Sequence, residues 1–160
     1  MRYSTLAFPL YRFIPGRFPH PLKEGGHMEF SGEPQSPPLD EGNFKQHTNY
    51  LFSIDLLNEG YYWEAHAYLE SIWNANERKG SIAKLCQALI KVGAAGIKFE
   101  LGSLPPTIGH LQRAIEILTP LPETIICGID REDLILVISH MLSELSKPFP
   151  KLIIELRLKI

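Results

Sequence analysis

The sequence has few cysteines and no long hydrophobic run, and both shortages exclude classes of protein. Cys86 and Cys127 are the only cysteines among 160 residues, and without a Cys-x-x-Cys spacing they indicate no disulfide framework. No apolar run approaches the ~20 residues of a membrane-spanning helix. Near the N-terminus, Pro9, Arg12 and Pro15 interrupt the chain before it could form the apolar stretch of a signal peptide. We therefore expect a cytoplasmic protein with no membrane segment.

The chain also has little net charge and no phosphate-binding or nucleophile motif. A formal net charge of -2 argues against a nucleic-acid binder that works through bulk electrostatics, so no nucleic-acid partner is expected. There is no glycine-rich phosphate loop and no serine or cysteine in a nucleophile context. The sequence thus specifies neither a reaction nor a cofactor, and it leaves the oligomeric state open.

The first 42 residues differ in composition from the rest of the chain. They are rich in proline and glycine and contain six aromatic residues, which are Tyr3, Phe8, Tyr11, Phe13, Phe18 and Phe30. Such a segment is too aromatic for a disordered tail. Residues 1–23 carry four basic residues and no acid, whereas residues 24–77 carry ten acids and one base. We expect residues 1–42 to form an extended arm on a helical domain of residues 43–147, with residues 148–160 as a tail.

Beyond the arm, apolar residues recur with a helical period of 3.6 residues. The pattern predicts five helices, over about residues 43–58, 61–74, 81–101, 104–118 and 131–146, and no convincing strand pair. Gly93 and Gly96 lie on the apolar stripe of the third helix and predict a close helix crossing. The predicted fold is therefore all-α, a compact bundle of about five helices that pack as hairpins.

The second predicted helix carries the most informative pattern in the chain. Tyr62, His66, Leu69 and Trp73 follow the helical period, so His66 is expected to face inward. Glu70 lies one turn after His66, close enough to pair with it. An inward His–Glu pair is either a polar anchor of the core or the floor of a site, and the sequence does not distinguish these.

This segment resembles the family known as domain of unknown function 309. The resemblance rests on an Asn-x-Gly-x-Tyr-x-Glu-Ala-His pattern followed by Leu-Glu-x-x-Trp, supplied here by Asn58, Gly60, Tyr62, Glu64, Ala65, His66, Leu69, Glu70 and Trp73. The chain departs from the pattern at Ala67, where the family often has a second acid. Weaker similarities extend the resemblance over roughly residues 43–145. It implies a compact helical fold, and it implies no reaction.

Two functional hypotheses from different classes remain open. The first is a non-catalytic module that binds a peptide or partner protein in a groove between helical hairpins. The second is a small-molecule or metal site, with hydrolysis as one candidate activity, built on His66, Glu70, Glu64 and Gln87.

In the second hypothesis, His20 or His27 of the arm would supply a further metal ligand. Tyr62, Trp63, Trp73 and Gln87 would line the pocket. Each of these residues also has a structural interpretation. Glu64 suits the first turn of a helix, the aromatics suit a core, and Gln87 from the next helix would satisfy a buried His66.

Overall fold

The computed structural model describes residues 1–17, 20–24, 26, 28, 32–146 and 149–158. Within them the chain forms a short 3-10 turn, five α-helices and one two-stranded sheet. In chain order these are the turn Phe44–Gln46, α1 Thr48–Asn58, α2 Tyr62–Ala75, α3 Gly80–Glu100, α4 Leu104–Leu118, β1 Ile125–Ile126, β2 Ile129–Asp130 and α5 Arg131–Ser143. Consecutive helices pack against one another, most extensively α3 against α4 and α2 against α3. The predicted all-α bundle is confirmed.

The helix ends show which local signals were informative. α4 has the predicted bounds, and two prolines lie in its first turn, where a missing N–H costs no hydrogen bond. Asp130 caps α5, since its Oδ1 accepts the N–H of Asp133 at 3.0 Å. α1 begins only at Thr48, because the Nδ1 of His47 accepts the N–H of Tyr50 and caps the helix there. α5 ends at Ser143, three residues before its predicted end.

A β-hairpin stands where no strand pair was predicted. β1 and β2 are antiparallel, with Ile126 opposite Ile129, so Cys127 and Gly128 form a two-residue loop. Both loop residues have positive φ, 45° and 79°, as the tight mirror-image turns of hairpins require. The expectation of no strands was therefore wrong for this short segment. Gly128 was the only sequence signal for the hairpin, because a non-glycine residue such as Cys127 is uncommon at positive φ.

The glycines of α3 allow the close crossing that their positions predicted. A Cβ atom on Gly96 would lie 2.6 Å from the ring of Tyr62, and one on Gly93 would lie 3.2 Å from the Tyr62 carbonyl oxygen. The N-terminal turn of α2 therefore packs directly onto the backbone of α3. The face of α2 that carries Tyr62 is therefore turned toward α3.

Extended segments cover parts of this bundle. Residues 1–17 and 149–158 contain no helix or strand, and their apolar side chains pack against the helical body. In the C-terminal segment Leu152, Ile154 and Leu156 are buried and the residues between them are exposed, as in a strand with one covered face. Asn58 holds this segment, because its side chain accepts the N–H of Ile154 at 2.7 Å and donates to the carbonyl oxygen of Ile154 at 3.0 Å.

Among the helices that the described residues form, none is long and apolar enough to cross a membrane.

Candidate functional site

The His–Glu pair of the motif is present but lies at the surface. The Nε2 of His66 and the Oε2 of Glu70 are 2.9 Å apart, and the two side chains are 43% and 46% exposed. The expectation that His66 faces inward, at the interface of α2 and α3, was wrong. The pair is therefore not a polar anchor of the core.

The cause is the rotation of α2. Its buried stripe consists of Tyr62, Ala65, Leu69 and Ile72, which are three or four residues apart and face α1 and α3. His66 lies on one flank of this stripe. Apolar periodicity locates such a stripe only to within about one residue, and here that uncertainty decides whether His66 is buried.

Glu64 lies on the opposite flank and is fully buried. It occupies the first turn of α2, as predicted for a helix-start charge, but it also contacts the N-terminal arm. Its Oε2 accepts the backbone N–H of Phe13 at 2.9 Å. The arm thus shields a motif carboxylate that the helix alone would leave facing solvent.

A second buried carboxylate, Asp55 of α1, has the same role and was missed from the sequence. It is 1% exposed and accepts the backbone N–H groups of Tyr3 and Ser4, each at 2.8 Å. The guanidinium of Arg2 completes its contacts at 3.4 Å. The available signal was an acid inside an otherwise apolar helical run, between Ile54 and Leu56. A buried charge requires such donors, because desolvating it alone is very costly.

Aromatic side chains hold the arm between these two carboxylates. The ring of Phe8 stacks on Tyr61 with centroids 5.0 Å apart and planes inclined by 5°, and it also contacts Phe52 at 6.2 Å. The Arg2 guanidinium lies 4.1 Å from the centroid of Phe8. We call the surface of α1 and α2 that receives the arm the arm groove. Five residues define it, namely Phe52, Asp55, Tyr61, Trp63 and Glu64.

The remaining pocket candidates are dispersed. Trp63 contacts the rings of Phe13 and His20 edge-on, at 5.3 and 5.4 Å. Trp73 packs beneath the guanidinium of Arg78, 4.3 Å from the ring centroid. Gln87 is half-buried on α3, and within the described residues its side chain forms no hydrogen bond to His66 or Glu70. Among the described residues Gln87 therefore does not join the hydrogen bond between His66 and Glu70.

Tyr62 belongs to the packed core. It lies against Gly96, and its burial raises the pKa of the phenol to about 12, with a smaller contribution from the nearby Glu100 carboxylate. Such a phenol stays protonated near neutral pH. We assign Tyr62 to helix packing.

The described residues do not form the set of ligands that a metal site would need. In the described part of the chain no three His, Cys, Asp or Glu side chains are grouped so that they could hold an ion. The ring of His20 packs against Phe13 and Trp63, and its Nδ1 accepts the N–H of Leu22 at 3.2 Å. The other arm candidate, His27, lies outside the described residues.

The comparisons with known proteins agree with the motif. No curated protein matches the chain. Residues 50–105 match the model of the family described as "Domain of unknown function (DUF309)", a span that includes the whole motif and runs from α1 to the first turn of α4. The match is shorter than the resemblance over residues 43–145 and does not include the arm. Over this segment the chain is similar to the DUF309 family, whose function is uncharacterised.

Proposed function

We propose that this protein is a non-catalytic binding module whose arm groove holds an extended polypeptide segment. In the free chain its own residues 2–14 occupy the groove. One observation carries the proposal, namely that two carboxylates buried in the helical body accept three backbone N–H groups of an extended chain. Because backbone groups are common to all peptides, this contact accepts any segment of suitable shape.

Side-chain contacts would supply selectivity. Phe8 stacks between Tyr61 and the guanidinium of Arg2, and Arg2 also pairs with Asp55. A segment with an aromatic residue six positions after an arginine can therefore stack on Tyr61 and pair with Asp55. We infer that a partner segment carries this pair in the same order.

The arm rests on the surface of the bundle, which favours exchange. None of residues 1–12 is buried, and the first buried side chains of the arm are those of Phe13 and Ile14. A competing segment could therefore replace residues 1–12 while the helical core stays packed. Since the resident arm is tethered, its effective concentration is on the order of millimolar, and it competes strongly with any free peptide.

The alternative of a small-molecule or metal site on His66, Glu70, Glu64 and Gln87 has less support. His66 and Glu64 lie on opposite flanks of α2, so the four side chains do not converge. A cavity of about 410 Å³ does lie beside Glu64, but the acids on its wall are Glu64 and Glu33, and neither His66 nor Glu70 lines it. The cavity thus lacks the histidine that acid–base or metal chemistry was expected to use.

The test weakens the resident arm and supplies its sequence in trans. In the full chain, Ser4→Pro removes an N–H that Asp55 accepts, and Phe8→Ala empties the aromatic slot. A labelled peptide of residues 1–12 should then bind the double variant by fluorescence anisotropy and bind wild type much more weakly. The control variant, Thr5→Ala with Leu10→Ala, changes exposed arm residues and should behave as wild type.

Two results would contradict the proposal. One is a double variant that keeps the wild-type circular dichroism spectrum but does not bind the peptide. The other is equal binding of a peptide that itself carries Phe8→Ala, because the aromatic slot would then have no part in recognition.

A further inference from the structure

A second groove lies between α5 and the C-terminal segment. Its volume is about 480 Å³, within the range of ~300–1,000 Å³ that is usual for ligand sites. Leu136 of α5 is 67% exposed and Ile153 of the opposite wall is 57% exposed. We call this surface the tail groove, and we define it by Leu136, Val137, Ile153, Glu155 and Arg157.

The backbone of the C-terminal segment forms hydrogen bonds along one of its two edges. Ile154 donates to Asn58 and Leu156 donates to the phenol oxygen of Tyr3, so alternate N–H groups point toward the body. In an extended chain, the N–H groups of the residues between them point to the other edge. Arg157 follows this rule, because its N–H donates to the carbonyl oxygen of Gly128 at 2.7 Å.

The same edge is open at Ile153 and Glu155. Within the described residues, the backbone N–H groups of these two residues form no hydrogen bond. An extended segment with unpaired backbone groups on one edge, next to exposed aliphatic side chains, has the features that accept an added strand.

The charges around the groove select the partner. Asp130, Asp133 and Glu155 line it, and Arg157 is the basic residue among the lining side chains. Arg157 is already engaged, since its guanidinium lies 2.9 Å from Asp130 and 3.5 Å from Asp133. The acids exceed the bases, so a lysine- or arginine-bearing segment fits the groove better than an acidic one.

We propose that the tail groove binds an extended segment of a partner protein in which aliphatic residues alternate with lysine or arginine. The segment adds as a strand to the open edge at Ile153 and Glu155. Its aliphatic side chains cover Leu136 and Ile153, and its basic side chains face Asp133 and Glu155. This site lies beside the first residues of the arm, since Leu156 donates to Tyr3, but the ligand proposed for it does not depend on the function proposed for the arm groove.

The test uses the full chain, labelled with ¹⁵N, and a capped peptide of about eight residues in which valine alternates with lysine. We expect chemical-shift changes centred on the amides of Ile153 and Glu155 and slower hydrogen exchange at both. Leu136→Ser should raise the dissociation constant by roughly tenfold, because the bound aliphatic side chain loses its apolar contact. Leu104→Ser, on another exposed leucine outside the groove, should leave the dissociation constant unchanged.

Two further experiments test which charges the groove recognises. A peptide that alternates valine with glutamate should bind the wild-type protein far more weakly. The valine–lysine peptide should likewise bind the Glu155→Lys variant far more weakly than it binds wild type. Unchanged exchange at Ile153 and Glu155, equal binding of the glutamate peptide, or an unaffected Leu136→Ser variant would overturn the proposal. A concentration-dependent dimer that buries these amides would also overturn it, because the occupant would then be a second copy.

Discussion

Glu64 and Glu70 are acids of the same helix and of the same family motif, yet their surroundings are opposite. Glu64 is fully buried and accepts a backbone N–H of the arm. Glu70 is about half exposed and pairs with His66, a neighbour on its own helix. The helix does not cause this difference, since both residues lie beside its buried stripe. Among the described residues, the arm contacts the flank of α2 that carries Glu64, whereas His66 and Glu70 on the other flank are nearly half exposed.

Other polar side chains also either contact an extended segment or pair with a neighbour on their own helix. Asp55, Asn58 and Asn76 of the body bind the backbone of the arm, of the C-terminal segment and of Leu39, respectively. These three side chains of the helical body therefore bond to backbone groups of extended segments, and Asp55 also pairs with the side chain of Arg2. The exposed pairs His66–Glu70 and Arg113–Glu116 instead join neighbours on one helix. We infer that the first class contributes to stability and the second contributes little.

The largest expected effect follows from removing the buried acid. Glu64→Ala leaves the N–H of Phe13 without its carboxylate acceptor and should lower the free energy of unfolding by about 2–3 kcal/mol. Glu70→Ala is the matched control and should change it by less than about 0.5 kcal/mol. Urea unfolding of both variants measures the difference. A loss of less than about 0.5 kcal/mol for Glu64→Ala would show that the arm contact does not stabilise the fold.

A smaller effect is expected at the other extended segment. Asn58→Ala removes the two hydrogen bonds to Ile154 and should cost about 1–2 kcal/mol, with faster hydrogen exchange at the amides of Ile154 and Leu156. Asn74→Ala is a suitable control, since Asn74 is an exposed residue of α2 whose side chain accepts only from Arg78 among the described residues. Unchanged exchange in the C-terminal segment would contradict the role given to Asn58.

The sequence predicted the helices well because their signals are local. Apolar periodicity, two prolines in one first turn and an aspartate cap determined α4 and the start of α5, and the two glycines of α3 correctly indicated a close crossing. The family assignment of the motif was confirmed over residues 50–105. The division into arm, helical domain and tail stays a prediction.

The surroundings of the motif side chains could not be predicted in the same way. Glu64 accepts a backbone N–H of the arm, and no periodicity within α2 contains the information that the arm crosses this flank. The hairpin at Cys127 was missed for a related reason. Its strands have two residues each, and the non-glycine residue at positive φ is fixed by tertiary contacts, since Tyr50 donates to its carbonyl oxygen and Glu41 accepts its N–H.

The smallest expected effect is that of His66→Ala. Were His66 an inward residue, its loss would leave Glu70 buried and unpaired and would destabilise the protein by roughly 1–3 kcal/mol. With both side chains nearly half exposed, water replaces the lost partner, and the free energy of unfolding should change by less than about 0.5 kcal/mol. High salt should change the stability of wild type and of His66→Ala alike, because an exposed pair is already screened. A loss of more than about 1 kcal/mol, measured beside Glu64→Ala under the same conditions, would mean that the two flanks of α2 are not as different as their exposure indicates.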